Sequence, residues 1–486
     1  MNILKRLAKD SMIYGLSSIL ARMLNFLLLP IYTRILGEGE FGMFNEIFAY
    51  IAVLQVFLVF GMETGVFKFA SAKDYDSEKV FSTATGFLSV VALVFFVTVF
   101  GFAGSIAKKM DYYPLAVVYM AGILAADCFT AIFFARLRHE GRTRRFALLR
   151  SLKILAEVLF NLLFLFIVPQ YLKSNTTSVL LHFFTPEVSY VYVMAAIFCS
   201  GLVSIVLFLP DIVRTKYRIE IRYFKSLFLY SFPLMLAGLQ GILNDFIDRP
   251  LFRYLAPETQ LAWNEQLGIF SANARLAVIM SLLVQVFRYA AEPYFFSESA
   301  KTDIKPVYAR MMKYFTLFCI LIFLLVNCYA DILQYLLGKN YRAGMDILPV
   351  MLFAYMLSGI NQNISMWYKL ASKTGMAMLV TFAGLATTIL VNLIFMPQFG
   401  YHVAAWGHVA SYTVMIITSW QLSKQYYKIP YQWKSIITYL VIGLIIFAVG
   451  KLFKTSSSTL NMTVNTVLIL IFILAVWRKE RRVISD

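Results

Sequence analysis

An arginine inside a long apolar segment is the first residue of this sequence that could do chemistry. Residues 11–36 form a mostly apolar stretch, long enough to cross a membrane as a helix at about 1.5 Å per residue. Arg22 lies near the middle of this stretch, where a charge costs about 2.5–3.5 kcal/mol on insertion scales. We therefore expect Arg22 to face a polar interior and not lipid.

The neighbours of Arg22 support this interpretation. Small and polar residues recur at steps of three or four along the segment, which places them on one face of a helix. They are Ser11, Gly15, Ser18 and Asn25. We predict that this face lines a water-accessible, positively charged cavity. The alternative is that main-chain carbonyl groups of neighbouring helices satisfy Arg22 in a helix interface.

Later apolar segments carry further charged and polar residues, which are functional candidates by default inside a membrane. Arg275 stands out beside Arg22, because a guanidinium can donate two hydrogen bonds to a phosphate at once. Asp245 and Arg249 have the spacing of a favourable acid-to-base pair on a helix. For each candidate, pairing between helices is the alternative. The others are Asp127, Glu157, Asn244, Asp248, Asn273, Gln285, Arg288, Glu292 and Asn361.

Composition sets the class of protein. The chain has 486 residues, of which 60% are hydrophobic and 14% charged, and this predicts an all-α polytopic membrane protein. The net charge is +18, but the basic residues cluster in alternate loops between apolar segments. We count 31 Lys and Arg residues on the side of the N-terminus and nine on the other. This distribution predicts cytoplasmic N- and C-termini in an inner membrane, and no nucleic-acid partner.

Hydropathy predicts fourteen membrane spans joined by short connections, with no room for a soluble domain. The predicted spans are residues 11–36, 41–69, 81–107, 114–136, 148–170, 189–210, 226–255, 264–297, 308–337, 346–371, 376–397, 402–424, 434–452 and 461–478.

A faint internal repeat relates the first and seventh spans. Asn25 stands five residues before Pro30, and Asp245 stands five before Pro250. Downstream, the sequence FGMFN after Glu40 is similar to LGIFS after Gln266. Both copies start on the same side of the membrane, so the repeat is parallel. We predict lobes at residues 1–225 and 226–424, followed by two extra helices and a cytoplasmic tail at residues 425–486.

Several kinds of chemistry find no support in the sequence. The four cysteines lie in apolar segments without metal spacing, and the four histidines are scattered. A GxxxxGK[ST] nucleotide-binding motif is missing as well. We therefore predict a protein that is not an enzyme and that needs no cofactor or metal.

The first span and the residues after it resemble a known family. Arg22, Pro30, the run TRILG at residues 33–37 and Phe41-Gly42 resemble the start of Wzx-type oligosaccharide flippases. These belong to the multidrug/oligosaccharidyl-lipid/polysaccharide (MOP) exporter superfamily. The resemblance implies a flippase that moves undecaprenyl-pyrophosphate-linked oligosaccharides from the cytoplasmic to the periplasmic leaflet by alternating access. It also implies a role in surface polysaccharide, lipopolysaccharide and O-antigen biosynthesis, a lipid-tail groove near the last two spans, and polymerase and chain-length proteins as partners.

Within that resemblance the candidates take roles. We expect the cavity to bind the pyrophosphate and sugar headgroup through Arg22, Asn25, Arg249, Arg275, Arg288 and Asn361. The candidates for carrying a coupling proton or cation are Asp127, Glu157, Asp245 and Asp248, and the sequence does not choose among them.

Three other functions remain open. A lipid II flippase shares the fourteen-span plan and a cationic cavity. A multidrug extruder has twelve spans as a rule and an acidic cavity, so the additional spans and the arginines argue against it. A membrane scaffold or polymerase partner would move no lipid-linked sugar at all.

Overall fold

The computed structural model describes residues 23, 26–174, 179–184, 188–257, 261–298, 305–371, 373, 375–453, 455 and 457–485, with the main chain alone at 179, 289–298, 369, 458 and 481–485. Regular structure in these ranges is helical throughout, and eleven helices are long and apolar enough to cross a membrane. A twelfth span is formed if two helices that meet at 43° count as one. The predicted all-α polytopic class is therefore confirmed.

Twenty-two α-helices follow one another along the described chain. They are α1 Phe26–Ile35, α2 Glu38–Val59, α3 Met62–Ala70, α4 Ser77–Gly101, α5 Ala103–Met110, α6 Pro114–His139, α7 Thr143–Leu162, α8 Val168–Ser174, α9 Ser189–Leu207, α10 Leu209–Arg214, α11 Ile221–Phe246, α12 Asp248–Leu255, α13 Trp263–Leu276, α14 Val278–Glu298, α15 Lys305–Cys328, α16 Ala330–Leu333, α17 Ile347–Ile364, α18 Met366–Leu370, α19 Gly375–Phe399, α20 His402–Tyr426, α21 Trp433–Leu452 and α22 Ser458–Ser485. A π-helix at Leu163–Ile167 joins α7 to α8.

Each predicted span coincides with one or more of these helices. The first corresponds to α1, and most of its earlier residues lie outside the described ranges. The twelfth corresponds to α20, whose 25 residues include few strongly hydrophobic ones. The bent pair of α13 and α14 forms the eighth.

By compactness the chain divides into unit 1, Met1–Gly268, and unit 2, Ile269–Asp486. In unit 1, α6 packs against α2, α4 and α9, and α11 lies against α2, α3 and α4. The α2–α3 span breaks at Phe60 and Gly61, which both adopt left-handed backbone conformations. A side chain on Gly61 would approach the main chain of Ser231 to 3.0 Å, so glycine lets α11 pack closely at this break.

In unit 2, α20 packs against α17 and α19, while α15 packs against α17, α21 and α22. A buried ion pair fixes α22: the Lys313 ammonium on α15 lies 2.6 Å from Glu480 Oε2. The hydroxyl of Tyr439 on α21 donates to Glu480 Oε1 at 2.5 Å, and that of Tyr314 donates to Oε2 at 3.2 Å. Both carboxylate oxygens of Glu480 are therefore satisfied. We call Lys313, Tyr314, Tyr439 and Glu480 the Glu480 clip.

The predicted lobes at residues 1–225 and 226–424 stay a prediction, because a division by compactness does not test an internal repeat.

Candidate functional site

A buried arginine–carboxylate pair lies at the end of unit 1 that the basic residues predict to be outside, here called the predicted outer end. Glu46 on α2 is fully buried. Its two carboxylate oxygens accept hydrogen bonds from Arg253 on α12, Oε1 from Nε at 2.8 Å and Oε2 from Nη2 at 2.6 Å. The Tyr112 hydroxyl also donates to Oε2, at 2.5 Å. This two-pronged geometry is the strongest form of a guanidinium–carboxylate contact.

Aromatic rings hold the Arg253 guanidinium from its faces. Its Cζ lies 4.1 Å from the ring centre of Trp263 and 5.2 Å from that of Tyr112, within the range of cation–π attraction. A guanidinium keeps its charge throughout the physiological pH range. The pKa of Tyr112 is raised by burial and by Glu46. Arg253 therefore stays charged, and Tyr112 stays a donor.

Two glycines bring α2 and α13 into main-chain contact beside this pair. A methyl group on Gly42 would overlap the main-chain carbonyl of Asn264, and one on Gly268 would overlap that of Glu38. Gly42 thus faces Asn264, four residues before Gly268, and Gly268 faces Glu38, four residues before Gly42. We call this arrangement the reciprocal glycine contact. It uses the segments in which the sequence showed its faint repeat.

Asp248 and Arg249 begin α12. Asp248 is fully buried, and its Oδ1 lies 3.5 Å from Arg249 Nη1. The same Nη1 donates to the main-chain oxygen of Asp245 at 2.7 Å, while the guanidinium lies 4.4 Å from the ring centre of Phe246. Arg249 therefore contacts Asp245 through the main chain of that residue as well as pairing with the carboxylate of Asp248.

An intramembrane charge triad lies between α6 and α7, where the sequence had singled out two of its members. Asp127 on α6 forms an ion pair with Lys153 on α7, and Glu157 follows Lys153 by one helical turn. Asn161, fully buried one turn later, donates to the main-chain oxygen of Glu157 and accepts the Tyr32 hydroxyl at 3.0 Å. Lys153 was not among the residues singled out from the sequence, although its spacing to Glu157 was a signal that could have linked the two.

The candidates of unit 2 lie on three helices. Arg275 on α13 and Arg288 on α14 are half-buried, and Asn361 on α17 is buried. The Asn361 Oδ1 atom has no hydrogen-bond partner in the part of the chain that the structure describes, and α14 packs against α17. Arg22 and Asn25 lie outside the described residues, so the predicted cavity shared by Arg22 and Arg275 stays a prediction.

Among the described residues, no three His, Cys, Asp or Glu side chains are grouped so that they could hold a metal ion.

Comparison with known proteins identifies the family. A family model described as "Polysaccharide biosynthesis protein" matches residues 7–299, more than half of the chain. The chain belongs to the polysaccharide biosynthesis protein family. No curated protein matches this chain.

Solved structures extend the comparison to the fold. A lipid II flippase, MurJ, in an inward closed conformation is 13% identical with a TM-score of 0.73, over 96% of this chain and 99% of that one. A multidrug resistance MATE family transporter of the MOP superfamily, inward-facing, is 14% identical with a TM-score of 0.60, over 83% and 94%. The outward-facing conformation of such a transporter has a TM-score of 0.57 at 13% identity, over 87% and 94%. Together with the family match, the shared fold confirms the resemblance to the MOP superfamily.

Proposed function

We propose that this family member is a flippase that carries undecaprenyl-pyrophosphate-linked oligosaccharides across the bacterial inner membrane by alternating access, for surface polysaccharide or O-antigen biosynthesis. The observation that carries the proposal is the buried Glu46–Arg253 pair beside the reciprocal glycine contact, which we interpret as a closure of the predicted outer end. A transporter that exposes its cavity to one side at a time needs such a closure, formed by contacts that are strong when made and able to separate.

Charge supports an anionic headgroup as the cargo. Arg22, Arg249, Arg275 and Arg288 are predicted to lie in or near the spans, where an arginine is costly unless it has an anionic or polar partner. We assign Arg22 and Arg275 to the pyrophosphate and Arg249 to the outer mouth, with Asn25, Arg288 and Asn361 lining the cavity. The proposal includes cytoplasmic termini, and polymerase and chain-length proteins as partners.

For ion coupling, the intramembrane triad is the strongest of the predicted groups. Lys153 pairs with Asp127, and Glu157 adds a second carboxylate one turn away. One ammonium cannot compensate two carboxylates, so uptake of a single proton or cation balances the site. Asp248 has Arg249 as its partner, and Asp245 is exposed at the end of α11.

A transport assay tests the proposal. Purified protein in vesicles should move a fluorescent lipid-linked oligosaccharide between leaflets, and Arg22→Ala and Arg275→Ala should each reduce the rate at least tenfold, the factor that loss of about 1.4 kcal/mol of binding gives. Normal rates in both variants at normal protein levels would remove the assigned roles. A wild-type protein that moves no lipid-linked sugar would support a scaffold instead.

A lipid II flippase is the second candidate, because the fold match to MurJ covers nearly all of both chains. Deletion of the gene separates the two. Loss of surface polysaccharide with continued wall synthesis supports the proposal, whereas arrested wall synthesis supports the lipid II alternative.

A further inference from the structure

The Glu46–Arg253 pair has the form of a phosphate contact. Glu46 presents two oxygens to Nε and Nη2 of one guanidinium at 2.8 and 2.6 Å, and this edge of an arginine is also the one that binds two oxygens of a phosphate. The Tyr112 hydroxyl adds a third donor to the same carboxylate. Three donors converge on one buried anion.

The guanidinium of Arg253 has contacts besides Glu46. Arg253 lies against the rings of Trp263 and Tyr112, which would keep the guanidinium in place if Glu46 moved away. A donor set that is already oriented binds an anion with little loss of conformational freedom. The arrangement therefore suits the exchange of one anion for another.

Opening of the predicted outer end requires α12 to leave α2. This separates Arg253 from Glu46 and leaves a cation that had been largely buried, with a side-chain exposure of 13%. Separation of a buried pair is costly unless another partner replaces the one that is lost. An anionic group that arrives at Arg253 removes that cost.

We propose that Glu46 stands in for the diphosphate of the cargo, and that Arg253, with Tyr112, binds that diphosphate as the outer end opens. This inference rests on the proposed function and adds a residue and a role to it. Opening is then favoured when a diphosphate is present to replace Glu46, so an empty transporter stays closed on that side.

Binding of inorganic pyrophosphate to the purified full chain, measured by calorimetry, tests the inference directly. Glu46→Gln removes the competing charge and leaves the guanidinium in place, so it should bind pyrophosphate about tenfold more tightly than wild type, the scale of one charge-assisted hydrogen bond. The double variant Glu46→Gln with Arg253→Gln should lose the whole gain. The inference is overturned if Glu46→Gln brings no gain, or if the double variant keeps it.

Arg342 provides a matched control. It is another arginine that the basic residues predict to lie outside, and its guanidinium lies 4.8 Å from the ring centre of Tyr335. In the part of the chain that the structure describes, its Nε donates to the main-chain oxygen of Leu337, and it pairs with no carboxylate. Glu46→Gln combined with Arg342→Gln should keep the full gain. Loss of the gain in that variant would assign it to general positive charge and contradict a site at Arg253.

Two further measurements distinguish the ways in which the inference could fail. Undecaprenyl pyrophosphate in nanodiscs should bind to Glu46→Gln more tightly than inorganic pyrophosphate does, and equal affinity would overturn the lipid headgroup as the ligand. If Glu46→Gln is not monodisperse, Glu46→Asp shortens the carboxylate and should give a smaller gain in the same direction, and no gain overturns the inference. Transport by the wild type without any effect of these variants would reject this inference alone, whereas the binding effect without transport would reject the flippase proposal alone.

Discussion

Lys153 determines what the two carboxylates beside it can do. Its ammonium already pairs with Asp127, so a metal cation that took Asp127 as a ligand would compete with it. A proton needs no coordination space, because it adds to a carboxylate oxygen directly. The arrangement therefore favours protonation over cation binding as the event that balances the intramembrane triad.

Replacing one member of the triad should destabilise the protein more than replacing two of them. Lys153→Met leaves Asp127 without its cation and should lower the free energy of unfolding by about 1–3 kcal/mol, a range that allows for the partial exposure of both side chains. Lys153→Met combined with Asp127→Asn should recover most of that loss. Thermal unfolding in detergent measures both effects. Lys109→Met, which replaces an exposed lysine on α5, should change nothing, and a double variant less stable than Lys153→Met would show that the pair does not act as a unit.

The same residues show how far sequence reasoning reaches at this scale. Asp127 and Glu157 were recognised because a carboxylate in an apolar run is conspicuous. Lys153 was not, because it lies near the start of the predicted fifth span, directly after the dense basic run of residues 136–150. Glu46 and Arg253 are 207 residues apart, and no local pattern connects residues that meet only through tertiary packing.

At the scale of helices, the reciprocal glycine contact determines how closely α2 and α13 approach. Helices that touch main chain to main chain need glycine at the crossing, because any Cβ would push them apart. The contact stands next to the Glu46–Arg253 pair, so the spacing of the helices also determines whether Arg253 can reach Glu46.

Gly42→Ala should therefore destabilise the protein and weaken transport together. We expect a loss of about 1–3 kcal/mol in the free energy of unfolding, which is typical of overpacking. Gly238 on α11 has no atom within 4 Å of an added Cβ, so Gly238→Ala should be neutral or stabilise by about 0.5–1 kcal/mol. Thermal unfolding and vesicle transport of the two variants check this. Equal stability of both variants would mean that α2 and α13 can separate without cost.

The helices were predictable because hydropathy identifies fourteen apolar runs in the sequence. The interruptions within these helices were not predictable. The break at Phe60 and Gly61, the π-helix at Leu163–Ile167 and the bend between α13 and α14 all lie inside runs that remain apolar throughout. Hydropathy measures the environment of a residue and not the direction of its helix. These interruptions depend on the neighbours against which each segment packs.

For the whole molecule, the distribution of basic residues makes a prediction that labelling can check. We expect a cysteine replacing exposed Lys109 or Lys339 to react with a membrane-impermeant maleimide in intact spheroplasts. A cysteine replacing exposed Arg144 or Lys216 should react only after permeabilisation, because the basic residues predict that this side is cytoplasmic. Labelling of Arg144→Cys in intact spheroplasts would reverse the assigned orientation and place the Glu46–Arg253 pair inside.

The organisation of the chain into repeats was visible only in part. The similar segments after Glu40 and Gln266 contain Gly42 and Gly268, so the repeat pointed to the two positions that make the reciprocal contact. It could not predict that each glycine faces a main-chain carbonyl of the other segment. Pattern matching reports which positions correspond, and packing decides which of them touch.

The Glu480 clip has a consequence for biosynthesis. Lys313 is separated from its carboxylate by 167 residues, and a ribosome adding about 5–20 residues per second needs roughly 10–30 s to make that length. Throughout this interval the ninth span carries a lysine whose counter-ion has not been translated. A nascent chain that is cut before Glu480 lacks the counter-ion of Lys313, so we expect it to be degraded faster than the full-length protein.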